Sequence, residues 1–167
     1  MYLHLLISDV CLKYQIHYTY LGTGCIFSST NPNYVFLEEE EPNFFGSKYG
    51  IIKGYTDKLL SLNKDKFLII RLRQCINNDS HSRNFLNKFL TLRKVSDISN
   101  SFTVVPSIFP ILVKLIEVGR TGIFNGVNKN SISVKEIVEI FGKTDTEVAD
   151  REFIRKTYAN NILSIKN

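Results

Sequence analysis

The sequence predicts an α/β fold in which a mainly parallel sheet is flanked by helices. Three stretches, 16–27, 66–73 and 121–127, are rich in apolar, β-branched and aromatic residues, as buried strands are. Helical periodicity occupies the chain between them, and this alternation is typical of crossover connections between parallel strands. The chain of 167 residues is long enough for one hydrophobic core, so we expect a single domain over residues 1–167.

The first half of the chain is predicted to contain two helices and the first two strands. Residues 2–14 place leucines and a valine at near-helical spacing. Gly22 and Gly24 are expected to bend the C-terminal end of the first strand. Residues 28–48 are predicted to form a polar loop, and a loop of this length in a compact domain is usually functional. A helix over 49–63 then leads into the second strand.

The second half contains helices on both sides of the third strand. Residues 84–94 have the pattern of a short helix. Residues 104–118 form a longer apolar helix with Pro106 and Pro110 near its start. Gly119 is placed to end this helix as a C-cap.

Two capping-box signatures predict the starts of the last helices. Ser133 and Glu136 precede or open the apolar run at 134–141, where each side chain is able to hydrogen-bond the other's backbone N–H. Thr144 and Glu147 repeat the same spacing, and we expect a final, more charged helix to begin there.

Charge and cysteine content argue against several classes of protein. The net charge is +5, but basic residues are scattered and the longest charge run, Glu38 to Glu41, is acidic, so no nucleic-acid role is expected. The three cysteines form neither a disulfide framework nor a zinc motif, and no histidine has a partner at ligand spacing, so we expect no metal site. No segment has the pattern of a signal peptide or membrane span, and reduced thiols favour a cytoplasmic protein.

The strongest local signal for chemistry is the pair Tyr49 and Lys53 at the start of a predicted helix. This spacing places the phenol and the ammonium on one helical face. A nearby cation favours phenolate and is expected to lower the tyrosine pKa from its usual value of about 10. Such a tyrosine donates a proton to a carbonyl oxygen as hydride arrives at the carbon. Taken alone, the pair is also what an ordinary helix surface presents.

Six longer segments are more specific than the Tyr/Lys pair. They are GTGCIF (22–27), EEEEPNFFGSKYGIIKGYTDKLL (38–60), LIIRLRQCI (68–76), SRNFLNK (82–88), SFTVV (101–105) and GIFNGVNKNSISVKEIVE (122–139). In order and spacing, the chain resembles the extended short-chain dehydrogenases/reductases, and within them the bifunctional UDP-4-keto-6-deoxyglucose 3,5-epimerase/4-reductases of rhamnose synthesis, which are similar to dTDP-4-dehydrorhamnose reductases. The resemblance implies a truncated Rossmann-like parallel sheet with flanking helices, a nucleotide-sugar substrate, and NADPH as the reductant.

The resemblance also implies roles for five residues. Thr23 is the hydroxyl of a Ser/Thr–Tyr–Lys triad, Tyr49 is the proton donor, and Lys53 lowers the tyrosine pKa. Tyr49 and Lys53 also contact the nicotinamide ribose of the cofactor. Cys25 and Lys88 match the two acid/base residues of the epimerisation, which removes a proton from one face of a carbon and returns one to the other. Without the resemblance, Cys25 has the pattern of a buried cysteine and Lys88 that of a helix-surface lysine.

Arg83 and Asn84 are weaker candidates for substrate binding. Both lie in the RNFLNK segment, and a guanidinium suits a bidentate contact with a diphosphate. Arg71 and Arg73 lie at the end of the second strand, and we interpret them as structural.

The chain departs from the family chiefly by an absence. No GxxGxxG segment occurs, so the nucleotide-binding half is missing and we expect weak or absent NADPH binding by the isolated chain. Cys75 also replaces an expected proline. Several interpretations remain open at this point. The sequence continues upstream of Met1, or a second chain supplies the N-terminal half, or the chain is an inactive paralogue with a regulatory or interaction role. A homodimer is the alternative to assembly with a second, different chain.

Overall fold

The computed structural model describes residues 2–165, and its centre is a parallel sheet of three strands. The strands are β1 (Tyr18–Thr23), β3 (Phe67–Leu72) and β7 (Gly122–Gly126), in the order β1-β3-β7. The longer helices are α1 (Tyr2–Tyr14), α2 (Lys48–Ser61) and α4 (Val105–Glu117). The predicted α/β fold with a parallel sheet and flanking helices is therefore confirmed.

Shorter elements connect and extend this centre. The short helices are α3 (Phe85–Thr91), α5 (Val134–Ile140) and α6 (Arg151–Thr157). Six two-residue strands form three parallel pairs: β2 (Val35–Phe36) with β9 (Ile162–Leu163), β4 (Cys75–Ile76) with β6 (Thr103–Val104), and β5 (Lys94–Val95) with β8 (Glu147–Val148).

The middle strand β3 explains why the sheet is covered on both faces. Phe67 and Ile69 pack with Tyr20 and Leu60, on the side of α1 and α2. The alternate residues Leu68 and Ile70 pack against Ile108 and Leu112 of α4. Since successive side chains of a strand point to opposite faces, a continuous apolar run predicts burial on both sides. The helices therefore sandwich the sheet.

Two predictions about the connections are wrong in part. Residues 28–48 are not all loop, because Val35 and Phe36 pair with the strand at Ile162–Leu163. The physical reason is the buried ring of Phe36, which stacks on Phe27 with ring centres 4.8 Å apart. The helix expected over 84–94 ends at Thr91, and Lys94 instead begins β5.

The helix expected at Thr144 and Glu147 begins later. Glu147 lies in β8, and its carboxylate forms ion pairs with Arg93 and Lys94 at 3.3 and 3.4 Å. The helix starts at Arg151, where the Asp150 side chain accepts a hydrogen bond from the Phe153 N–H at 2.7 Å. The capping-box spacing was therefore present without its helix, because backbone pairing with β5 holds this segment extended.

The capping box at Ser133 and Glu136 is confirmed, and it gives a testable prediction. Ser133 Oγ accepts from the Glu136 N–H at 3.1 Å, while the Glu136 carboxylate accepts from the Ser133 N–H at 2.8 Å. We expect Ser133→Ala to lower the free energy of unfolding by about 1 kcal/mol, measured by urea denaturation. Ser80→Ala, in an exposed loop, is the control. Equal urea midpoints for both variants would contradict the prediction.

The stabilisation that the Ser133–Glu136 capping box contributes should depend on pH. The hydrogen bonds from Ser133 hold the pKa of the Glu136 carboxyl below its usual value. A carboxyl with a lowered folded pKa contributes stability above its unfolded pKa, and this contribution disappears as the pH falls through the folded pKa. The difference in unfolding free energy between wild type and Ser133→Ala should therefore shrink as the solution becomes acidic.

Candidate active site

A cavity of about 640 Å³ lies where β1 and β3 end. Its wall includes Thr23 and Cys25 from the first of these strand ends, Arg73 and Cys75 from the second, and Tyr49 from α2. In open parallel sheets, ligands bind in the crevice beyond the carboxyl ends of the strands. Three of the residues predicted for catalysis, Thr23, Cys25 and Tyr49, thus come together in one cavity.

The turn after β1 explains how Thr23 and Cys25 are held. The Cys25 N–H donates to Thr23 Oγ1 at 3.1 Å, which fixes the two residues relative to one another. Gly24 between them is closely packed by side chains, since an added Cβ would be only 2.6 Å from Leu163 Cδ1 and 3.3 Å from Arg73 Cδ. A larger residue here would require the Leu163 side chain to shift.

Tyr49 reaches the cavity from the first turn of α2. The Ser47 side chain caps this helix by accepting from the Gly50 N–H at 3.0 Å. Tyr49 and Thr23 both line the cavity. Burial raises the pKa of Tyr49 above its usual value, although the Thr23 hydroxyl and the charge of Arg73 oppose this shift. The phenol is therefore protonated at neutral pH, as a proton donor must be.

Lys53 points away from the cavity in this structure. Its ammonium lies 4.6 Å from the centre of the Tyr20 ring, and Lys53 is not among the residues that line the cavity. Burial lowers the pKa of Lys53, against the opposing effect of Asp57. Burial raises the pKa of Tyr49, and the cation that opposes this shift is Arg73, so the role of Lys53 stays a prediction.

Lys88 lies one side chain away from the cavity. It is exposed on α3, and its ammonium is 5.2 Å from the centre of the Phe85 ring. Phe85 itself lines the cavity. Lys88 therefore lies beside a residue of the cavity wall and not in the wall itself.

The two weaker substrate candidates differ in the structure. Asn84 is buried, and its amide oxygen accepts from the N–H groups of Asn77 and Leu86. Its amide nitrogen donates to the carbonyl oxygens of Asn77 and Asp79. These bonds cap α3 and fix the preceding loop. The amide of Asn84 is therefore already fully hydrogen-bonded within the protein. Arg83 is exposed beside this loop and does not line the cavity.

Two cavity residues were not predicted to be functional. Arg73 was interpreted as structural, yet its guanidinium donates to Cys25 Sγ at 2.9 Å. Gln74 has a positive φ of 38°, which is unusual for a residue with a side chain, and its buried Oε1 has no hydrogen-bond partner. The RLRQC segment gave no signal for Gln74, because backbone strain is not visible in residue types.

Within residues 2–165, no group of three or more His, Cys, Asp or Glu side chains is arranged to hold a metal ion. In the same range, no helix is long and apolar enough to cross a membrane.

The chain is similar in sequence to a viral protein and to a plant enzyme. No family model matches the sequence. The chain is 37% identical over 141 residues to protein L780 of Acanthamoeba polyphaga mimivirus, a match that covers 81% of this chain and 48% of that protein. It is 33% identical over 143 residues to the bifunctional dTDP-4-dehydrorhamnose 3,5-epimerase/dTDP-4-dehydrorhamnose reductase of Arabidopsis thaliana, which covers 82% of this chain and 47% of that protein. The chain thus spans about half the length of these relatives.

Solved structures agree with the sequence matches. The crystal structure of the L780 UDP-rhamnose synthase superimposes with a TM-score of 0.86 at 35% identity, covering 96% of this chain and 60% of that one. The dTDP-4-dehydrorhamnose reductase of Bacillus anthracis, in complex with NADP, has a TM-score of 0.69 at 20% identity, covering 89% of this chain and 57% of that one, and supports the fold alone. The chain is therefore a homologue of the UDP-rhamnose synthases and dTDP-4-dehydrorhamnose epimerase/reductases over part of their length.

Proposed function

We propose that this chain carries the catalytic half of a nucleotide-sugar 3,5-epimerase/4-reductase that acts on a UDP-4-keto-6-deoxyhexose. The observation that carries the proposal is the meeting of the Thr23 and Tyr49 hydroxyls beside the Cys25 thiol in one cavity. Homology to proteins with these activities supports the choice of substrate. Such chemistry, and cysteines that are all free, fit a cytoplasmic protein.

The first reaction needs no cofactor. Cys25 takes a proton from the carbon next to the ketone, and Lys88 returns a proton to the opposite face once the Phe85 ring has turned aside. The electron pair released from the C–H bond moves onto the ketone oxygen, and protonation moves it back to carbon. The Thr23 and Tyr49 hydroxyls stabilise the negative oxygen by hydrogen bonding.

The second reaction is a reduction, for which NADPH supplies the hydride. Tyr49 donates its proton to the ketone oxygen as the carbon is reduced, and Thr23 orients that oxygen. Tyr49 and Lys53 are the residues of this chain that would contact the nicotinamide ribose. The rest of a dinucleotide site needs a glycine-rich turn before a helix N-terminus, and this sequence has no such turn.

The edge of the central sheet supports a site for pairing with a nucleotide-binding half. Strand β1 is at the edge of the sheet within residues 2–165, and Leu21 in its middle is 54% exposed. An exposed apolar edge strand is a template for pairing with a further strand. We propose that a nucleotide-binding half pairs along β1, whether it is supplied by a longer form of this chain or by a second, different chain.

The isolated chain should therefore bind NADPH poorly. We expect its affinity to be at least about 100-fold weaker than that of full-length L780, because pyrophosphate contacts at a helix N-terminus are missing. Titration of NADPH fluorescence on both proteins measures the difference. A dissociation constant for this chain within about tenfold of that of the full-length relative would contradict the expectation.

Exchange with solvent deuterium tests the proposed function directly. The purified chain is incubated with UDP-4-keto-6-deoxyglucose in heavy water without NADPH, and deuterium beside the ketone is measured by mass spectrometry. We expect incorporation by wild type and its loss, by about 100-fold or more, in Cys25→Ser. Cys11→Ser, which changes a buried thiol of α1, is the matched control. A folded wild-type chain that catalyses no exchange would refute the proposal and favour an inactive paralogue with a regulatory or interaction role.

A further inference from the structure

Arg71 and Arg73, two residues apart in the chain, are both buried, but only Arg71 has a carboxylate partner among the described residues. Arg71 donates from Nε and Nη2 to the two carboxylate oxygens of Asp57, at 3.0 and 2.7 Å. The charge of Arg71 is thus neutralised inside the protein. Arg73 is only 2% exposed, and the partners that residues 2–165 provide for its guanidinium are uncharged.

The guanidinium of Arg73 is held in one position. Nη2 donates to Asn100 Oδ1 at 2.9 Å and to the Ala159 carbonyl oxygen. The backbone N–H of Arg73 donates to Thr103 Oγ1 at 2.8 Å. The remaining terminal nitrogen, Nη1, donates to Cys25 Sγ at 2.9 Å. Two separate segments, at 100–103 and at Ala159, therefore hold Arg73 with Nη1 directed at the sulfur.

The hydrogen bond from Arg73 determines the role of the Cys25 sulfur in this contact. A guanidinium has only donors, so Cys25 Sγ is the acceptor in this contact. A thiolate accepts a hydrogen bond from a cation more strongly than a thiol does. A buried cation without a carboxylate partner is also costly, and an anionic sulfur would balance its charge. The arrangement therefore favours a reactive sulfur at Cys25.

We propose that Arg73 is the positioning residue of the epimerisation, which holds Cys25 Sγ at the cavity wall and activates it by charge. The consequence for turnover depends on the proposed function, whereas the activation of the thiol does not. Arg73 is then the cation beside the Cys25 sulfur, just as Lys53 was predicted to be the cation beside the Tyr49 phenol. Cys75, in the same wall, has no such contact among the described hydrogen bonds.

Alkylation measures this activation without substrate or cofactor. Iodoacetamide reacts with thiolates, so the labelling rate of each cysteine reports the reactivity of its sulfur. The full chain is treated at neutral pH, and the labelling of Cys25 and Cys75 is followed separately by peptide mass spectrometry. Both cysteines line one cavity, but burial raises the pKa of the Cys75 thiol, so the effect of Arg73 is measured by how the ratio of Cys25 to Cys75 labelling changes in the variants. We expect Cys25 to react about tenfold faster than Cys75.

Two variants separate charge from structure. In Arg73→Met, the ratio of Cys25 to Cys75 labelling should fall about tenfold, and Arg73→Lys should restore part of it. Since Arg73 is buried, a second variant keeps it in place. Asn100→Asp offers the guanidinium a carboxylate at the position of the amide oxygen, so the ratio should fall here too. Asn63→Asp, in an exposed turn after α2, controls for the added charge.

The outcomes are distinct from those of the deuterium experiment. If the ratio in Asn100→Asp equals that of Asn63→Asp while thermal unfolding shows a folded protein, the activation by Arg73 is overturned. Labelling of Cys25 no faster than Cys75 in wild type overturns it as well. If labelling follows the expectation but no deuterium is exchanged, the epimerase proposal fails and the role of Arg73 at the thiol stands.

Discussion

Asp57→Ala is expected to lower the free energy of unfolding by about 3–5 kcal/mol, because it leaves the buried Arg71 cation without its anion. The side chains of Arg71 and Asp57 are each 1% exposed. Two of the guanidinium nitrogens donate to this one carboxylate. The Arg71 Nη1 group also donates to the Glu38 carbonyl oxygen at 2.9 Å, so the same arginine anchors the long loop before α2.

The experiment compares this buried ion pair with an exposed one. Urea denaturation of Asp57→Ala is measured beside Glu152→Ala, whose carboxylate pairs with Lys156 while both side chains are more than 70% exposed. The exposed pair should contribute less than about 0.5 kcal/mol. Replacing both partners, as Asp57→Leu with Arg71→Met, should recover much of the lost stability, since no unpaired charge then remains. Equal losses in Asp57→Ala and Glu152→Ala would refute this account.

The central sheet was predictable because its signal lies within short stretches of sequence. The run Phe67 to Ile70 is apolar at successive positions, and that pattern requires burial on both faces of a parallel sheet. The short strands were not predictable in this way. Val35 pairs with Ile162, and the two are far apart in sequence, so no local pattern reports their contact.

The site shows the same division between local and distant contacts. Thr23 and Tyr49 belong to motifs, and their placement at the ends of one strand and one helix followed from those motifs. The contact between Arg73 and Cys25 joins residues 48 positions apart, and nothing in either segment predicts it. For the same reason the direction of the Lys53 side chain, towards the Tyr20 ring, was visible only in three dimensions.

Tyr49→Phe is expected to slow the reduction of the 4-keto sugar by about 1,000-fold once a nucleotide-binding half is supplied. The change removes one oxygen atom and keeps the ring, and Tyr49 as a whole residue is 54% exposed, so the substitution should cost the core little. The burial that raises the pKa of Tyr49 concerns the hydroxyl end of the side chain, which is the part that Tyr49→Phe removes. The proton that must reach the ketone oxygen then has to come from water. The rate of NADPH oxidation measures this step.

Tyr49→Phe also affects the reaction that needs no cofactor, and this distinguishes two roles of the phenol. If the hydroxyl stabilises the enolate oxygen, deuterium exchange by Tyr49→Phe should also fall, but less than in Cys25→Ser, because the Thr23 hydroxyl remains. Thr23→Val removes the other hydroxyl and is the matched variant. Tyr55→Phe, on an exposed part of the same helix, controls for loss of a phenol elsewhere.

Burial holds the pKa of Tyr49 above its usual value, so the phenol remains a donor throughout the neutral range and loses its proton only when the pH rises through that raised pKa. Full exchange and full reduction by Tyr49→Phe would remove the phenol from both steps, and with it the physical basis for placing a sugar ketone between Tyr49 and Thr23.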